Sequence, residues 1–372
     1  MKYYIIAGEA SGDLHGSNLM KALQRLDVNA EFRFWGGDLM QQVGGTLVKH
    51  YRDLAFMGFA EVLMNIRTIT KNLSFCREDI ETYHPDTIIF IDYPGFNLRI
   101  AKWAKQKGFQ TQYYISPQIW AWKENRIKDI KHDIDKMYVI LPFEKEFYED
   151  KHQYPVAFVG HPLIDAISDR PQVSEYDFRA KHGLTDKPII ALLPGSRKQE
   201  IKKMLSIMLS VVNDFKAYQF VIAGAPSQEL SFYNTFIKNS NVSFVSNETY
   251  DLLSVSTAAL VTSGTATLET ALFKVPQVVC YKGSWVSYQI GKRLVKLDYI
   301  SLVNLIMNAE VVTELIQNKF NKNTLKKELQ NILDDAERIK FFINYYELEK
   351  KLGGKGASEK TAKLIIESVK QR

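Results

Sequence analysis

The residues of this chain best suited to move a proton are two acidic side chains at strand-to-helix junctions. In IIAGEASGDLHG (5–16) an apolar run ends at Ala7, and Gly8, Gly12 and Gly16 flank Glu9, Ser11 and Asp13 ahead of a helix-period segment. Glycines let the backbone turn tightly and approach a ligand, and a helix N-terminus favours anions. The spacing is not GxGxxG, and two carboxylates would repel a pyrophosphate, so a sugar or hydroxyl acceptor fits this loop better than a dinucleotide. The plain structural alternative is a tight turn with Asp13 as helix cap. In FIDYPGFNLRIAKWAK (90–105), Asp92 follows the apolar run TIIFI directly. A carboxylate there could take a proton from an attacking hydroxyl. Otherwise it braces the turn made by Pro94 and Gly95, with Asn97 beginning the helix.

Anion-binding chemistry clusters further along. IIALLPGSRKQEI (189–201) runs from a buried strand into Pro194, Gly195, Ser196 and Arg197 and then a helix. Backbone N–H groups, the Ser196 hydroxyl and the Arg197 fork can all serve a diphosphate, and an arginine there can neutralise a leaving nucleotide. Its companion, ALVTSGTATLETALFKVP (259–276), leads from a strand through Ser263, Gly264 and Thr265 into a helix, with Glu269 placed to accept from ribose hydroxyls. The alternative is that Ser263 or Thr265 is an N-cap and Glu269 its capping-box partner. In ISPQIWAWKENRIKDI (115–130), Trp120 and Trp122 precede Lys123, Arg126 and Lys128. Aromatic faces beside cations can stack on a sugar while a guanidinium holds phosphate, unless the tryptophans are core and the cations a solvated helix face. In 54–73, Met57, Phe59, Val62, Leu63, Ile66 and Ile69 crowd one side of a helix-period segment with Arg67 and Lys71 nearby. That pattern suits either core or contact with acyl chains and a bilayer surface.

These groups must be carried by a regular scaffold. Expected strands are 2–7, 31–36, 87–91, 111–115, 136–141 and 156–160, then 188–193, 218–224, 242–246, 258–262 and 276–281, with amphipathic helices such as 97–107 and 122–132 between them. Short continuous apolar strands alternating with helices indicate parallel sheets covered on both faces. The pattern pauses near residue 161 and restarts after a helix that Ser174 would cap. From about 311 the chain reads as all helical, broken by Gly353, Gly354 and Gly356 before a last basic helix. The expected fold is therefore α/β, two Rossmann-like parallel-sheet domains facing a central cleft, as in the GT-B architecture, with a helical C-terminal region. Residues 1–163 form an acceptor-binding domain completed by the helix in 350–372, and 164–349 a UDP-sugar-binding domain.

Composition bounds the partners. The 372 residues are 46% hydrophobic and 24% charged, with a formal net charge of +6, which suits a globular protein with an anionic partner. No nucleic-acid motif is visible. The two cysteines form no CxxC pair and the seven histidines show no ligand spacing, so neither metal nor cofactor is expected. No stretch approaches the roughly 18–20 apolar residues of a membrane span, and the N-terminal apolar run is too short for a signal peptide. A cytoplasmic protein with peripheral membrane contact is expected.

Nine stretches together resemble the lipid-A-disaccharide synthase family of GT-B glycosyltransferases over nearly the whole chain. In order they are AGEASGDLHG, FMGFAEVL, IDYPGFN, YYISPQIWAWKENRI, LPFEKEFY, FVGHPLID, LLPGSRKQEI, TSGTATLETAL and KLDYISLVNLI. The resemblance implies transfer of 2,3-diacylglucosamine from UDP to 2,3-diacylglucosamine 1-phosphate with inversion, without a metal, at the inner face of the cytoplasmic membrane. It makes Asp92 and Glu9 the candidate acid/base groups, Arg197 the diphosphate arginine, and Glu269 and Asn304 members of nucleotide-side motifs. Acceptor and lipid contacts fall on Ser11, Asp13, Met57, Phe59, Leu63, Trp120 and Arg126, and a homodimer is compatible with the pattern. Two positions depart from the family: Gly95 stands where a second acid is often found, and Val303 where proline is common. A sugar-nucleotide 2-epimerase on the same fold, or a non-enzymatic lipid- or nucleotide-binding clamp, is the competing reading. The epimerase would need neither the apolar 54–73 segment nor the GEASGD loop, and acidic groups at both Glu9 and Asp92 argue against the clamp.

Overall fold

A computed structural model describes residues 1–54, 66–225, 228–237, 241–283 and 298–371. The chain divides into two compact units, Met1–Ser168 with Leu352–Arg372, and Asp169–Lys351.

The first unit is built on a seven-stranded parallel sheet: β1 (Lys2–Ala7), β2 (Glu31–Gly36), β3 (Thr46–His50), β4 (Thr87–Ile91), β5 (Thr111–Tyr114), β6 (Lys136–Val139) and β7 (Ala157–Phe158), in the order β3-β2-β1-β4-β5-β6-β7. Its central strands β1 and β4 are buried almost throughout, as expected when helices cover both faces of a parallel sheet. The strand order reverses between them, and they pair in register from Tyr3 with Thr87 to Ala7 with Ile91. Helix Ala10–Leu26 leaves β1 and helix Pro94–Gln106 leaves β4. This is the crevice-forming switch point of an open α/β sheet.

The last helix of the chain, Ala357–Lys370, belongs to this unit and lies against helix Ala10–Leu26. Asp165 accepts the N–H groups of Gly356 and Ser358 at 2.6 and 2.9 Å, capping that helix from a distant part of the sequence. Such a cap contributes about 1 kcal/mol. At the other end, Gln110 Nε2 donates to the Ser368 carbonyl at 3.0 Å.

The second unit carries a six-stranded parallel sheet: β8 (Ile189–Leu193), β9 (Gln219–Gly224), β10 (Val242–Ser246), β11 (Ser256–Thr262), β12 (Gln277–Tyr281) and β13 (Glu314–Ile316), in the order β10-β9-β8-β11-β12-β13. Ser174 caps the entering helix through Asp177 N–H at 3.1 Å. Two strands depart from the sequence expectation. β3 is half-exposed at a sheet edge and mixes Lys49 and His50 with apolar residues, so it lacks a buried-strand pattern. β13 interrupts the stretch after 311 read as helical, and its three residues are too few to leave a periodic signal.

Candidate active site

Glu9 and Asp92 leave the sheet side by side because their parent strands are paired neighbours. The helix after β1 starts at Ala10, earlier than the loop reading of 8–16, and Glu9 is its extended N-cap residue. Gly8 is required by close approach. A Cβ there would lie 2.3 Å from the Tyr93 ring. Ser11 is exposed in the first helical turn. Asp13 is not available to an acceptor: its carboxylate is buried and accepts the N–H groups of Gly37, Met40 and Leu39 at 2.8, 3.0 and 3.1 Å. It is a cap after all, but of the neighbouring helix Asp38–Val43.

Asp92 and Tyr93 form a left-handed elbow, with φ of 44° and 49°. That conformation costs a non-glycine residue about 1–2 kcal/mol, and here two occur in succession. Burial, with the negative charge of Glu9 as the next cause, pushes the Asp92 carboxyl up to about 6, while a hydrogen bond from Tyr93 N–H acts the other way. A carboxylate tuned into that range is suited to general-base work near neutrality.

The two tryptophans of 115–130 separate in role. Trp120 packs edge-on against Phe143 and donates its Nε1–H to Glu144 at 3.2 Å. Glu144 is buried, also accepts from Ser116, Ile140 and Leu141, and is nonetheless raised to about 7 by loss of solvent. Trp122 is exposed, with Lys123 Nζ 4.2 Å and the Arg126 guanidinium 5.9 Å from its ring centre. The structure thus joins the cations to Trp122 and turns Trp120 inward. Arg126 also lines a cavity of about 250 Å³ with Gly95, Arg99, Lys102 and Asp129.

In the second unit a cavity of about 290 Å³ opens at the carboxyl ends of β8, β9 and β11, again at a switch point. Gly195, Ser196, Ser263, Gly264, Thr265 and Glu269 line it. Gly195 has a φ of +100°, a conformation open to glycine, and it brings the Glu200 carboxylate over the loop to accept Ser196 N–H at 3.2 Å. Arg197 is exposed at the N-cap of helix Lys198–Leu209. The capping-box reading of Glu269 does not hold. Gly264 is the N-cap and makes no side-chain cap, and Glu269 instead accepts from Tyr250 Oη at 2.9 Å while burial raises its carboxyl. Ser263 Oγ donates to the Ile300 carbonyl.

Asn304 is held entirely by protein partners. It is fully buried; Nδ2 donates to Val312 O and Glu314 Oε1, and Oδ1 accepts from Val311 and Val312 N–H. All four hydrogen-bonding positions of the amide are used, so it braces the backbone instead of contacting a nucleotide. Met57, Phe59 and Leu63 lie outside the described residues; Arg67 and Lys71 are exposed on helix Ile66–Tyr83. No helix among the described residues is long and apolar enough to cross a membrane.

Sequence reasoning passed over Thr262, whose buried hydroxyl lines the second-unit cavity and has no partner among the described residues. Its position at the end of an apolar run, directly before Ser263 and Gly264, was the available signal. Tyr250 was missed because it lies far from Glu269 in sequence.

Comparison with known proteins decides the family. A model described as lipid-A-disaccharide synthetase matches residues 3–367. The chain belongs to that family. The lipid-A-disaccharide synthase of Geobacter metallireducens is 38% identical over 371 residues, covering 98% of this chain and 96% of the relative. That of Coxiella burnetii (strain CbuG_Q212) is 36% identical over 367 residues, covering 97% and 96%. The chain is accordingly a glycosyltransferase of lipid A biosynthesis. Two solved structures share its fold: the UDP-GlcNAc 2-epimerase of Methanocaldococcus jannaschii in complex with UDP-GlcNAc and UDP (TM-score 0.67, 12% identity, covering 99% of this chain and 100% of the other), and the glycosyltransferase SnogD of Streptomyces nogalater (TM-score 0.59, 15% identity, 99% of each). They place the chain among GT-B architectures.

Proposed function

We propose that the chain transfers 2,3-diacylglucosamine from its UDP derivative to 2,3-diacylglucosamine 1-phosphate, giving the lipid A disaccharide 1-phosphate and UDP. The observation that carries the reading is the elbow that sets a partly buried Asp92, raised to about 6, beside Glu9 in a chain of this family. Asp92 takes the proton from the acceptor hydroxyl as its oxygen bonds to the anomeric carbon. The bond from that carbon to the diphosphate oxygen breaks on the opposite face, so configuration inverts and UDP leaves with the bonding pair. Arg197 and the backbone around Ser196 and Gly264–Thr265 offset the charge that develops on the diphosphate. Glu269, oriented by Tyr250, accepts from ribose hydroxyls, and Thr262 offers, within the same cavity, a hydroxyl that has no partner among the described residues. In this reading Met1–Ser168 with Leu352–Arg372 binds the acceptor, and Asp169–Lys351 the donor.

Because both substrates carry acyl chains, the enzyme works at the cytoplasmic face of the inner membrane, with Met57, Phe59 and Leu63 entering the headgroup boundary and Arg67 and Lys71 meeting anionic lipid. Release of UDP from the purified protein, followed with and without acceptor, tests the proposal. Release that requires the acylated acceptor supports it. Conversion of the donor alone would point to epimerisation, and no turnover in either case to a binding protein.

A further inference from the structure

One buried side chain is bonded to the ends of both strands that carry the acid/base pair. Asn97 is fully buried in the first turns of helix Pro94–Gln106. Its Nδ2 lies 2.7 Å from the Asp92 carbonyl oxygen and 3.3 Å from those of Ile6 and Ile91. Ile6 is near the end of β1, just ahead of Glu9, and Ile91 ends β4. The hydroxyl of Tyr113, on the adjacent strand β5, donates to the same Asp92 carbonyl at 2.5 Å. One carbonyl oxygen with two lone pairs therefore receives two side-chain donors, both from buried residues.

The left-handed φ at Asp92 turns its carbonyl toward these donors. A buried carbonyl left without them would be costly, and the peptide would relax toward the ordinary right-handed or extended regions. Any such rotation re-aims the Cα–Cβ bond, and with it the carboxylate. The asparagine is also used unevenly. Its Oδ1 is buried with no partner among the described residues. A leucine would fill the same space without stranding that acceptor, so the amide is present for its N–H groups.

We propose that Asn97 and Tyr113 are positioning residues: by holding the Asp92 carbonyl and tying the ends of β1 and β4 together, they maintain the elbow that aims the Asp92 carboxylate beside Glu9. The inference rests on the reading of Asp92 as general base. It assigns both residues a kinetic role without contact to either substrate.

Three variants test it: Asn97→Leu, Tyr113→Phe and Asp92→Asn. Each is examined by circular dichroism, by kcat and KM per folded protein at saturating second substrate, and by UDP titration calorimetry. Displacing a catalytic group by about 1 Å costs up to 10²-fold in rate. The expected result is a kcat lower by roughly 10–100-fold for Asn97→Leu and about 10-fold for Tyr113→Phe, with donor KM and UDP affinity within about two-fold of native. A purely structural role would shift the melting curve and leave kcat per folded molecule unchanged, which overturns the proposal. Native kcat in folded Asn97→Leu and Tyr113→Phe, alongside an inactive Asp92→Asn, refutes the positioning role alone and leaves the base assignment standing. A fully active Asp92→Asn removes both. Should Asn97→Leu fail to fold, Tyr113→Phe, which loses only a hydroxyl, decides the matter.

Discussion

Turnover should carry an acid limb that an ordinary aspartate could not produce. Asp92 sits at about 6, against an ordinary value of 3.8, because burial and then the Glu9 charge penalise its ionised form. A base with that value is about 10% ionised at pH 5 and about 90% at pH 7, so kcat should fall nearly ten-fold between the two. An unshifted aspartate would be more than about 90% ionised at both, and the rate would be almost flat. The assay is kcat at saturating donor and acceptor from pH 4.5 to 8.5, with UDP measured by chromatography so that no coupling enzyme adds its own pH dependence. Glu9→Gln removes the second cause and leaves the first, so the inflection should move toward lower pH without reaching 3.8. A kcat unchanged from pH 5 to 8 in the folded enzyme, or a midpoint that ignores Glu9→Gln, refutes the account of Asp92.

The remaining expectations follow from the same geometry. Since the folded-state value of Asp92 lies above its unfolded value, ionisation works against the fold: the penalty is absent below about pH 3.8 and complete above about pH 6. Asp92→Asn should therefore be more stable than the native chain by about 1–3 kcal/mol at pH 7 in urea unfolding, with the difference vanishing near pH 4. Arg197→Ala should lower kcat by ~10²-fold or more, and a near-native kcat in the folded variant would remove it from the leaving-group site. Asn304→Ala strands buried backbone groups at Val311 and Val312 and should cost about 2–4 kcal/mol in melting experiments, while UDP affinity of the folded fraction changes little. Vesicle binding should drop sharply when Met57, Phe59 and Leu63 become serine, and normal binding by the folded triple variant would move the membrane site elsewhere.

Much of the scaffold is legible in the sequence because buried parallel strands announce themselves. TIIFI and IIALL are continuous apolar runs bounded by turn residues, and they become the central strands β4 and β8. Two of the edge strands carry no such mark: β3 is half-exposed along its length and β13 is three residues long. At the candidate site, residue types at strand ends point to Glu9, Asp92, Gly195 and Glu269 as side chains near a crevice. What they do not reveal is where each polar group finds its partners. Asp13 reads either as a loop acid or as a cap of its own helix until Gly37, Leu39 and Met40 bring their N–H groups to it. Asn97 reads as an ordinary helix-start residue because one of its acceptors, Ile6, lies 91 positions away. Long-range hydrogen bonds leave no local periodicity, so a pattern reader sees the donor and not its purpose.

The placement of helix Ala357–Lys370 in the first unit has a consequence for how the chain is made. Everything else in that unit has been translated by Ser168, yet the helix that lies against Ala10–Leu26 is separated from it by the whole of the second unit. At ~5–20 residues per second, the intervening stretch of roughly 180 residues takes about 10–40 s to emerge. Throughout that interval the flank of Ala10–Leu26 that the last helix covers has no mate, and the carboxylate of Asp165 has no Gly356 or Ser358 to cap. The second unit, contiguous in sequence, needs only its own residues to close; the first cannot be finished until Leu352–Arg372 has followed them out of the ribosome. Apolar surface left waiting in this way is what chaperones bind. A released chain ending at Lys351 should therefore hold a settled second unit beside a first unit still missing its last helix.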